Sequence, residues 1–231
     1  MKKQIIISTL LVAALIPWLT SCHSEKSEDV NQDKIHQRLV LEYDKNTDIT
    51  AARAQFRFGD ATGTLLELTS PSNITANGNL MTWDAGLAFY QKTFTGVATP
   101  MTYVYTNTND QAYTNTLSMQ HTIGFKTDLD TISKSGSFEL FWEGDSVLAD
   151  EIIWIGIWKN NNVLDQALVS TSADNAKSII IPMSTLALVN TGVTHISISR
   201  EYYPAIVQAT GNGGDCVVRY KGLNKQIVIV N

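Results

Sequence analysis

Cysteine, helical periodicity and long apolar runs are all scarce in this sequence. Cys22 and Cys216 are the two cysteines among 231 residues, too few for a disulfide framework. Apolar residues do not recur at the three-and-four spacing that marks a long helix. The run from Gln4 to Leu19 approaches a membrane span in length, and no second run of that length follows it. We therefore expect the residues after Cys22 to lie in water.

Familiar catalytic and metal-binding signatures are also missing from the sequence. It contains no His-x-x-x-His or Cys-x-x-Cys spacing, no glycine-rich phosphate loop before a helix and no Gly-x-Ser-x-Gly elbow. The chain after Cys22 carries 15 basic and 22 acidic residues, a formal net charge of −7. This acidic balance argues against nucleic acid as a partner. We expect no catalysis, and no cofactor unless calcium is bound.

The N-terminal segment has the pattern of a secretory signal peptide. Lys2 and Lys3 precede the apolar run, and Leu19-Thr20-Ser21-Cys22 ends it. The alternative is an uncleaved membrane helix, but the run is short for one and contains Pro17. Leu-x-Ser-Cys resembles the lipobox of bacterial lipoproteins. The resemblance implies that residues 1–21 are removed, that Cys22 carries lipid, and that this lipid holds the protein on a membrane.

Residues 22–34 are predicted to form a polar tether between the lipid and the folded body. Four of the residues after Cys22 are acidic and one is aliphatic: Glu25, Glu28, Asp29, Asp33 and Val30. So little apolar surface does not order a segment by itself. Acidic residues at this place resemble the signal that sends lipoproteins of some Gram-negative lineages to the cell exterior. Residue 23 is His rather than Asp, so the inner-membrane retention signal is missing. We expect the lipid to anchor the protein to the bacterial outer membrane. Which leaflet of that membrane the protein faces is left open.

From Ile35 onward the sequence alternates with a period of two, which predicts strands. The cleanest example is Ala52, Ala54, Phe56 and Phe58, each separated by a polar or charged residue. Turn signals recur about every ten residues, and Asn77-Gly78 and Ser135-Gly136 suit tight hairpins. One short helix is predicted at residues 184–189. The pattern predicts an all-β fold, an antiparallel β-sandwich.

The length of the body suits either one large sandwich or two modules of immunoglobulin size. We predict two, residues 35–120 and 121–231, packed in tandem and sharing or abutting a strand in the run Ala112 to Phe125. The layout of Ser135–Gly144, an apolar strand and then Ile179-Ile180-Ile181-Pro182 resembles immunoglobulin-like modules of secreted bacterial proteins. The resemblance implies a spacer, an adhesin or a binding domain, without choosing among them.

Two groups of residues are candidate ligand sites. Trp154 and Trp158 share one face of a predicted strand, where two indoles could form a platform for a sugar. The alternative is a strand buried on both faces. Asp44, Asn46 and Asp48 begin like an EF-hand calcium loop, but Ile49 and Gln55 occupy its glycine and glutamate positions, so a looser calcium site or a solvated turn remains.

These features favour a lipid-anchored cell-envelope protein that acts as a binding or assembly module for a glycan or protein partner. One alternative is a glycoside hydrolase or an accessory polysaccharide-degrading factor that uses Glu143 or Asp145. A second alternative is a purely structural spacer. Cys216 lies in a predicted strand and is expected to be a buried thiol rather than a nucleophile.

Overall fold

The structure, a computed structural model, describes residues 24–158 and 166–231. The predicted signal peptide and the lipidation site Cys22 lie outside the described residues. Within them the chain forms nineteen strands, the short helix α1 (Met183–Leu186) and two 3-10 turns, Ser27–Asp29 and Gln32–Lys34. None of the helices in this part of the chain is long and apolar enough to cross a membrane.

The strands fall into two sets along the chain. Those before residue 121 are β1 (Glu25–Lys26), β2 (Ile35–Asp44), β3 (Ile49–Phe58), β4 (Thr64–Glu67), β5 (Asn73–Ala76), β6 (Asn79–Leu80), β7 (Thr82–Asp84), β8 (Phe89–Thr95), β9 (Met101–Thr106) and β10 (Ala112–Leu117). Those after it are β11 (Ile123–Phe125), β12 (Thr131–Ser133), β13 (Phe138–Gly144), β14 (Glu151–Trp158), β15 (Gln166–Thr171), β16 (Ser178–Ile181), β17 (Gly192–Tyr202), β18 (Gly214–Lys221) and β19 (Lys225–Val230).

One sheet of twelve strands runs through both sets. Its central order is β1-β4-β3-β2-β18-β17-β14-β15, with β7 and β8 attached beside β3 and with β12 and β19 attached beside β17. Two smaller sheets, β10-β9-β5-β6 and β11-β13-β16, complete the fold. The prediction of an all-β, tandem β-sandwich architecture is confirmed. The strand pairs are antiparallel apart from three parallel ones, β1–β4, β12–β19 and β2–β18.

Two hydrophobic cores lie on the same face of the long sheet, each against one of the smaller sheets. The first core includes Leu39, Leu41, Phe56, Leu66, Ile74, Met101, Tyr103 and Tyr105. The second includes Ile123, Ile132, Leu140, Trp142, Ile153, Ile155, Ile179, Ile196, Ile198 and Ile229. These residues occupy alternate positions of their strands, as period-two sequences require when one face of a sheet is buried. The opposite face of the long sheet is here called the outer face. It carries the residues at the intervening positions, most of which are polar.

The two sandwiches meet at the seam, defined as the parallel pair β2 and β18. Eight residues of β18 pair with residues 37–44 of β2. Although β18 comes late in the chain, its Cys216 and Val218 pack in the first core, whereas Tyr220 packs in the second. The residues on either side of position 120 therefore do not divide cleanly between the cores. The strand shared by the sandwiches is β18, not the run from residue 112 to 125, which is split between β10 and β11 in different sheets.

The predicted tether over 22–34 is wrong for the residues from Ser24 onward. Ser27 is fully buried, its Oγ lies 3.2 Å from Thr69 Oγ1, and it accepts a hydrogen bond from Thr69 N at 2.9 Å. Gln32 is buried as well and donates to Ser27 O at 2.6 Å. Polar side chains that hydrogen-bond to the fold thus hold a segment that lacks apolar surface of its own.

Two of the predicted turns have different outcomes. Asn77 and Gly78 both adopt positive φ between β5 and β6, so the hairpin turn predicted there is confirmed. Ser135-Gly136 instead connects β12 and β13, which belong to different sheets, so the hairpin predicted there is wrong. The helix predicted at 184–189 is present as the single turn α1, which starts one residue earlier.

Candidate functional site

Strand β14 places its isoleucines and its tryptophans on opposite faces. Ile153, Ile155 and Ile157 are at most 1% exposed and belong to the second core. Trp154 and Trp158 are half-buried and lie outside that core, on the outer face of the long sheet. The alternative of a strand whose indoles pack the core is therefore wrong. Trp142, in contrast, is a core residue whose Nε1 donates to Asp145 O at 3.1 Å.

A row of polar residues on the neighbouring strand β17 runs beside the two indoles. His195, Ser197 and Ser199 pair with Trp158, Gly156 and Trp154, in that order. The His195 and Trp158 rings stack, with centroids 6.1 Å apart and an angle of 23° between their planes. We call the set Trp154, Trp158, His195, Ser197 and Ser199 the tryptophan face.

Glycine at position 156 leaves room between the two tryptophans. A Cβ added there would lie 2.9 Å from Ser197 Oγ and 3.9 Å from the ring of Trp158. The ring of Trp158 therefore leans back along the strand toward Gly156. Residues four apart on a strand have Cα atoms about 13 Å from each other. The indoles accordingly form a line along β14 rather than one continuous stack.

This arrangement suits recognition of a ligand that has both apolar and hydroxylated surfaces. Indole rings pack against C–H faces, while serine hydroxyls and an imidazole nitrogen exchange hydrogen bonds with polar groups. Trp154 Nε1 is buried and has no hydrogen-bond partner among the described residues. Both indoles are half-buried on one face of a sheet and lie in line along β14, which fits a chain lying along the strand better than a small molecule in a pocket.

The outer face continues from the tryptophan face to the seam, where five charged side chains form the seam cluster: Glu42, Arg53, Glu201, Arg219 and Lys221. Glu42 accepts from Arg53 Nη1 at 3.2 Å, from Arg219 Nη1 at 2.6 Å and from Lys221 Nζ at 2.9 Å. Arg219 also pairs with Glu201, which is opposite it on β17. The cluster thus joins β3, β2, β18 and β17 across the junction of the two sandwiches.

The seam cluster stabilises the charged form of Glu42. Burial alone would raise the pKa of this carboxyl, because Glu42 is 5% exposed. Hydrogen bonds from Lys221 and Arg219, with the charges of Lys221 and Arg53, outweigh burial and lower the pKa to about 2. The alternation of apolar residues in β2 and β3 puts Glu42 and Arg53 at the intervening positions, but it does not distinguish them from the other residues there. Their pairing with Arg219 depends on which strand lies beside β2, and no local pattern carries that information.

Of the candidate calcium residues, Asp44 ends β2, whereas Asn46 and Asp48 lie in the turn that leads to β3. Side-chain oxygens of all three accept hydrogen bonds within the fold. Asp44 Oδ1 accepts from Asn46 N and from Asn46 Nδ2, both at 2.9 Å, and Asp48 Oδ1 accepts from Tyr43 OH at 2.9 Å. Asn46 Oδ1 accepts from Asn224 N. In residues 24–158 and 166–231, no group of three or more His, Cys, Asp or Glu side chains is placed to hold a metal ion.

The carboxylates considered for hydrolysis are both exposed. Asp145 Oδ2 lies 2.9 Å from His121 Nδ1, and this hydrogen bond, followed by the charge of His121, lowers the pKa of Asp145. A general acid of a glycosidase needs the opposite shift. Glu143 lies near the end of β13, where it pairs with Gly124 of β11.

Cys216 is 2% exposed, and burial raises the pKa of its thiol to about 12. A thiol with so high a pKa carries almost no thiolate at neutral pH, and the thiolate is the nucleophile. The prediction of a buried thiol is confirmed.

Comparison with known proteins adds a weak structural likeness. No protein-family model matches the chain, and no curated protein matches it. Among solved structures, the chain is similar to a tetra-tandem repeat in the extending region of a large adhesion protein, at 15% identity and a TM-score of 0.25. The match covers 84% of this chain and 50% of that one, so the chain corresponds to about half of its length. At that TM-score the likeness carries no argument about this chain.

Proposed function

We propose that this chain is a lipid-anchored cell-envelope protein whose tandem sandwich binds a glycan along the tryptophan face, without catalysis. One observation carries the proposal: Trp154 and Trp158 lie together on the outer face, outside the core, beside a row of hydrogen-bonding side chains. Leaving two large aromatic rings partly in water has a cost, since burying such a side chain is worth roughly 2–3 kcal/mol. A ligand that covers the rings recovers the part of this free energy that belongs to their exposed area.

A glycan fits this face better than a generic apolar partner. Each indole is opposite a polar residue of β17, while Leu168 of β15 lies opposite Gly156, between the two indoles. A sugar presents C–H groups on its ring faces and hydroxyls on its edges, so it can use both kinds of contact at once. Two tryptophans whose Cα atoms are about 13 Å apart along β14 suit an extended chain of several sugars.

Tryptophan fluorescence of the full chain, purified in detergent and titrated with a panel of polysaccharides, tests the proposal. A bound glycan should quench or shift the emission, and a double variant Trp154→Phe, Trp158→Phe should weaken binding at least tenfold in calorimetry. Trp83→Phe is the matched control, because Trp83 is also half-buried but packs on Tyr90 at the first core. If no polysaccharide binds, the spacer or a protein-binding role replaces the glycan-binding one.

The anchoring half of the proposal rests on the lipobox-like sequence at Leu19–Cys22. Cys22→Ala is expected to release the protein from membranes after cell breakage, because acyl chains supply about 0.8 kcal/mol per buried methylene. Cys216→Ala is the control and should stay with the membrane fraction, since its thiol is buried in the fold. A Cys22→Ala protein that still sediments with membranes would disprove lipid anchoring.

The packing of residues 24–34 bears on how such an anchor would work. Ser24 follows Cys22 by two residues, which span at most about 7 Å when extended. Because residues 25–34 pair with or pack on the first sandwich, the lipid would hold the folded body close to the bilayer instead of on a loose tether. In this proposal the edge of the sheet formed by β1 and β4 lies nearest to the membrane.

A further inference from the structure

A concave site lies on the outer face, over β2, β3 and β18. It is a cavity of about 210 Å³ whose lining includes three arginines, one glutamine and three large apolar side chains: Arg38, Arg53, Arg219, Gln55, Val40, Val217 and Phe89. No carboxylate is among its lining residues. We call it the arginine pocket. In a chain with an acidic balance overall, it presents three guanidinium groups around one small space.

The arginines of this pocket differ in how many of their guanidinium N–H groups already have partners within the fold. Arg219 is bound to Glu42 and Glu201 on the seam side. Arg53 uses Nη1 for Glu42, and its buried Nε has no partner among the described residues. Arg38 is half-exposed and has one ion-pair contact in this part of the chain, from its Nε to Asp215 at 3.5 Å. Arg38 therefore keeps both of its terminal nitrogens for a ligand.

The apolar part of the pocket restricts the kind of anion that fits. Val40 and Val217 are directly opposite each other on the paired strands. Phe89 lies under the Arg53 guanidinium, 5.4 Å from ring centroid to carbon. A guanidinium binds a carboxylate through two parallel hydrogen bonds, and the valines and the phenylalanine favour C–H groups next to it. A carboxylate attached to a sugar ring meets both requirements, and the volume is smaller than that of sites for drug-sized ligands.

The pocket and the tryptophan face belong to the same outer face. Across the sheet they are three strand spacings apart, from β14 through β17 and β18 to β2, which is about 15 Å. Along the strands Trp154 is level with Asp44, six residues or about 20 Å from Arg38. A polysaccharide of several sugars that runs obliquely across the strands can therefore contact both places. We infer that the ligand of this protein is an acidic polysaccharide, and that the arginine pocket binds the carboxylate of one of its uronic acid residues through Arg38. This inference rests on the proposed glycan-binding function.

The test compares one polymer in two chemical forms. The full chain in detergent is titrated by calorimetry with a polyuronate, and with the same polymer after its carboxyl groups are reduced to alcohols. We expect the polyuronate to bind at least fivefold more tightly, and raising the salt concentration from about 0.05 to 0.5 M to remove most of that advantage. Arg38→Gln should abolish the preference while leaving the thermal transition unchanged, because Arg38 lies outside the seam cluster. Lys92→Gln removes the same charge near Ala52, on the other face of the sheet, and should keep the preference.

The outcomes separate the two proposals. Equal binding of both polymer forms, or an unchanged preference in Arg38→Gln, overturns the arginine pocket while glycan binding stands. Binding of neither form, together with no response to any neutral polysaccharide, overturns glycan binding itself and the pocket with it.

Discussion

At the scale of single residues, Glu42 accepts hydrogen bonds from three positively charged side chains of the outer face. Three cations surround one buried carboxylate, and the side chains of these cations are 30–37% exposed, so part of their charge remains solvated. A buried ion pair often adds little net stability relative to an apolar pair, but removing one partner is costly. The cost arises because the remaining charges keep their desolvation and lose their counter-charge.

Replacing Glu42 by Gln is therefore expected to destabilise the protein by about 2–3 kcal/mol at pH 7, below the range for fully buried pairs because the cations are partly solvated. Urea unfolding followed by circular dichroism measures the change. Glu143→Gln is the matched control and should stay within about 0.5 kcal/mol of the native protein, since Glu143 is exposed. Equal stabilities of the two variants would contradict a structural role for the cluster.

The same residue predicts how stability depends on pH. The pKa of Glu42 is lowered from 4.5 to about 2 in the fold, so its stabilisation is complete above pH 4.5 and is lost as the pH falls toward 2. Between pH 6 and pH 3 the native protein should lose about 2 kcal/mol more than Glu42→Gln does. Unfolding curves of both proteins over this range measure that difference. Parallel pH profiles of the two proteins would show that folding does not lower the pKa of Glu42.

At the scale of elements, the first eleven described residues illustrate where local reasoning fails. The segment is polar, and its composition predicts disorder. It is nevertheless held by hydrogen bonds to partners distant in the chain, as in Ser27 with Thr69 and Asp33 with Gly211. Gln32 also reaches the turn after β9, accepting from Thr108 N. Composition alone cannot report such partners, because the acceptors and donors come from other turns.

Ser27→Ala should loosen this segment without unfolding the body. The variant removes the acceptor of Thr69 N, and a lost buried hydrogen bond costs about 1 kcal/mol or somewhat more. Hydrogen exchange at Glu28 and Thr69 is expected to accelerate about five- to tenfold, while exchange in the core strands is unchanged. Glu28→Ala, at an exposed neighbouring position, should leave exchange at Thr69 as it is; acceleration in both variants would mean that the segment responds to any change.

Strand β14 is an element that the sequence predicts well. Strict alternation of isoleucine with Trp154, Gly156 and Trp158 implies two different faces, and the structure has two different faces. Which of them is buried could not be decided from the pattern, because both are apolar. The choice follows from the smaller sheet β11-β13-β16, which covers the isoleucines and leaves the indoles on the outer face.

At the scale of the whole molecule, the seam makes the two sandwiches interdependent. The long sheet passes without interruption from one to the other through β2 and β18. Val218 completes the first core from a position about a hundred residues beyond the end of β10. A division of the chain near residue 120 therefore leaves the first core without a strand that it needs.

The fragment 24–120 is accordingly expected not to fold on its own, whereas the full chain should unfold in one cooperative transition. Removing β18 exposes the edge of β2 and uncovers Leu39 and Leu41, whose burial is worth roughly 2–3 kcal/mol each. Thermal melts of both proteins, followed by near-ultraviolet circular dichroism, measure this. A cooperative melt of the fragment would show that the sandwiches are separable units.

The sequence by itself determined most of the long strands, the all-β class, the hairpin at Asn77-Gly78 and the two faces of β14, because alternation and turn chemistry act within a few residues. It also carries the lipobox-like motif at Cys22 that motivates the anchoring proposal. Only the tertiary structure decided that β18 lies beside β2, that the indoles face outward, and that Arg38, Arg53 and Arg219 line one pocket. Those facts depend on pairings between strands far apart in the chain, and such pairings are set by the packing of whole sheets.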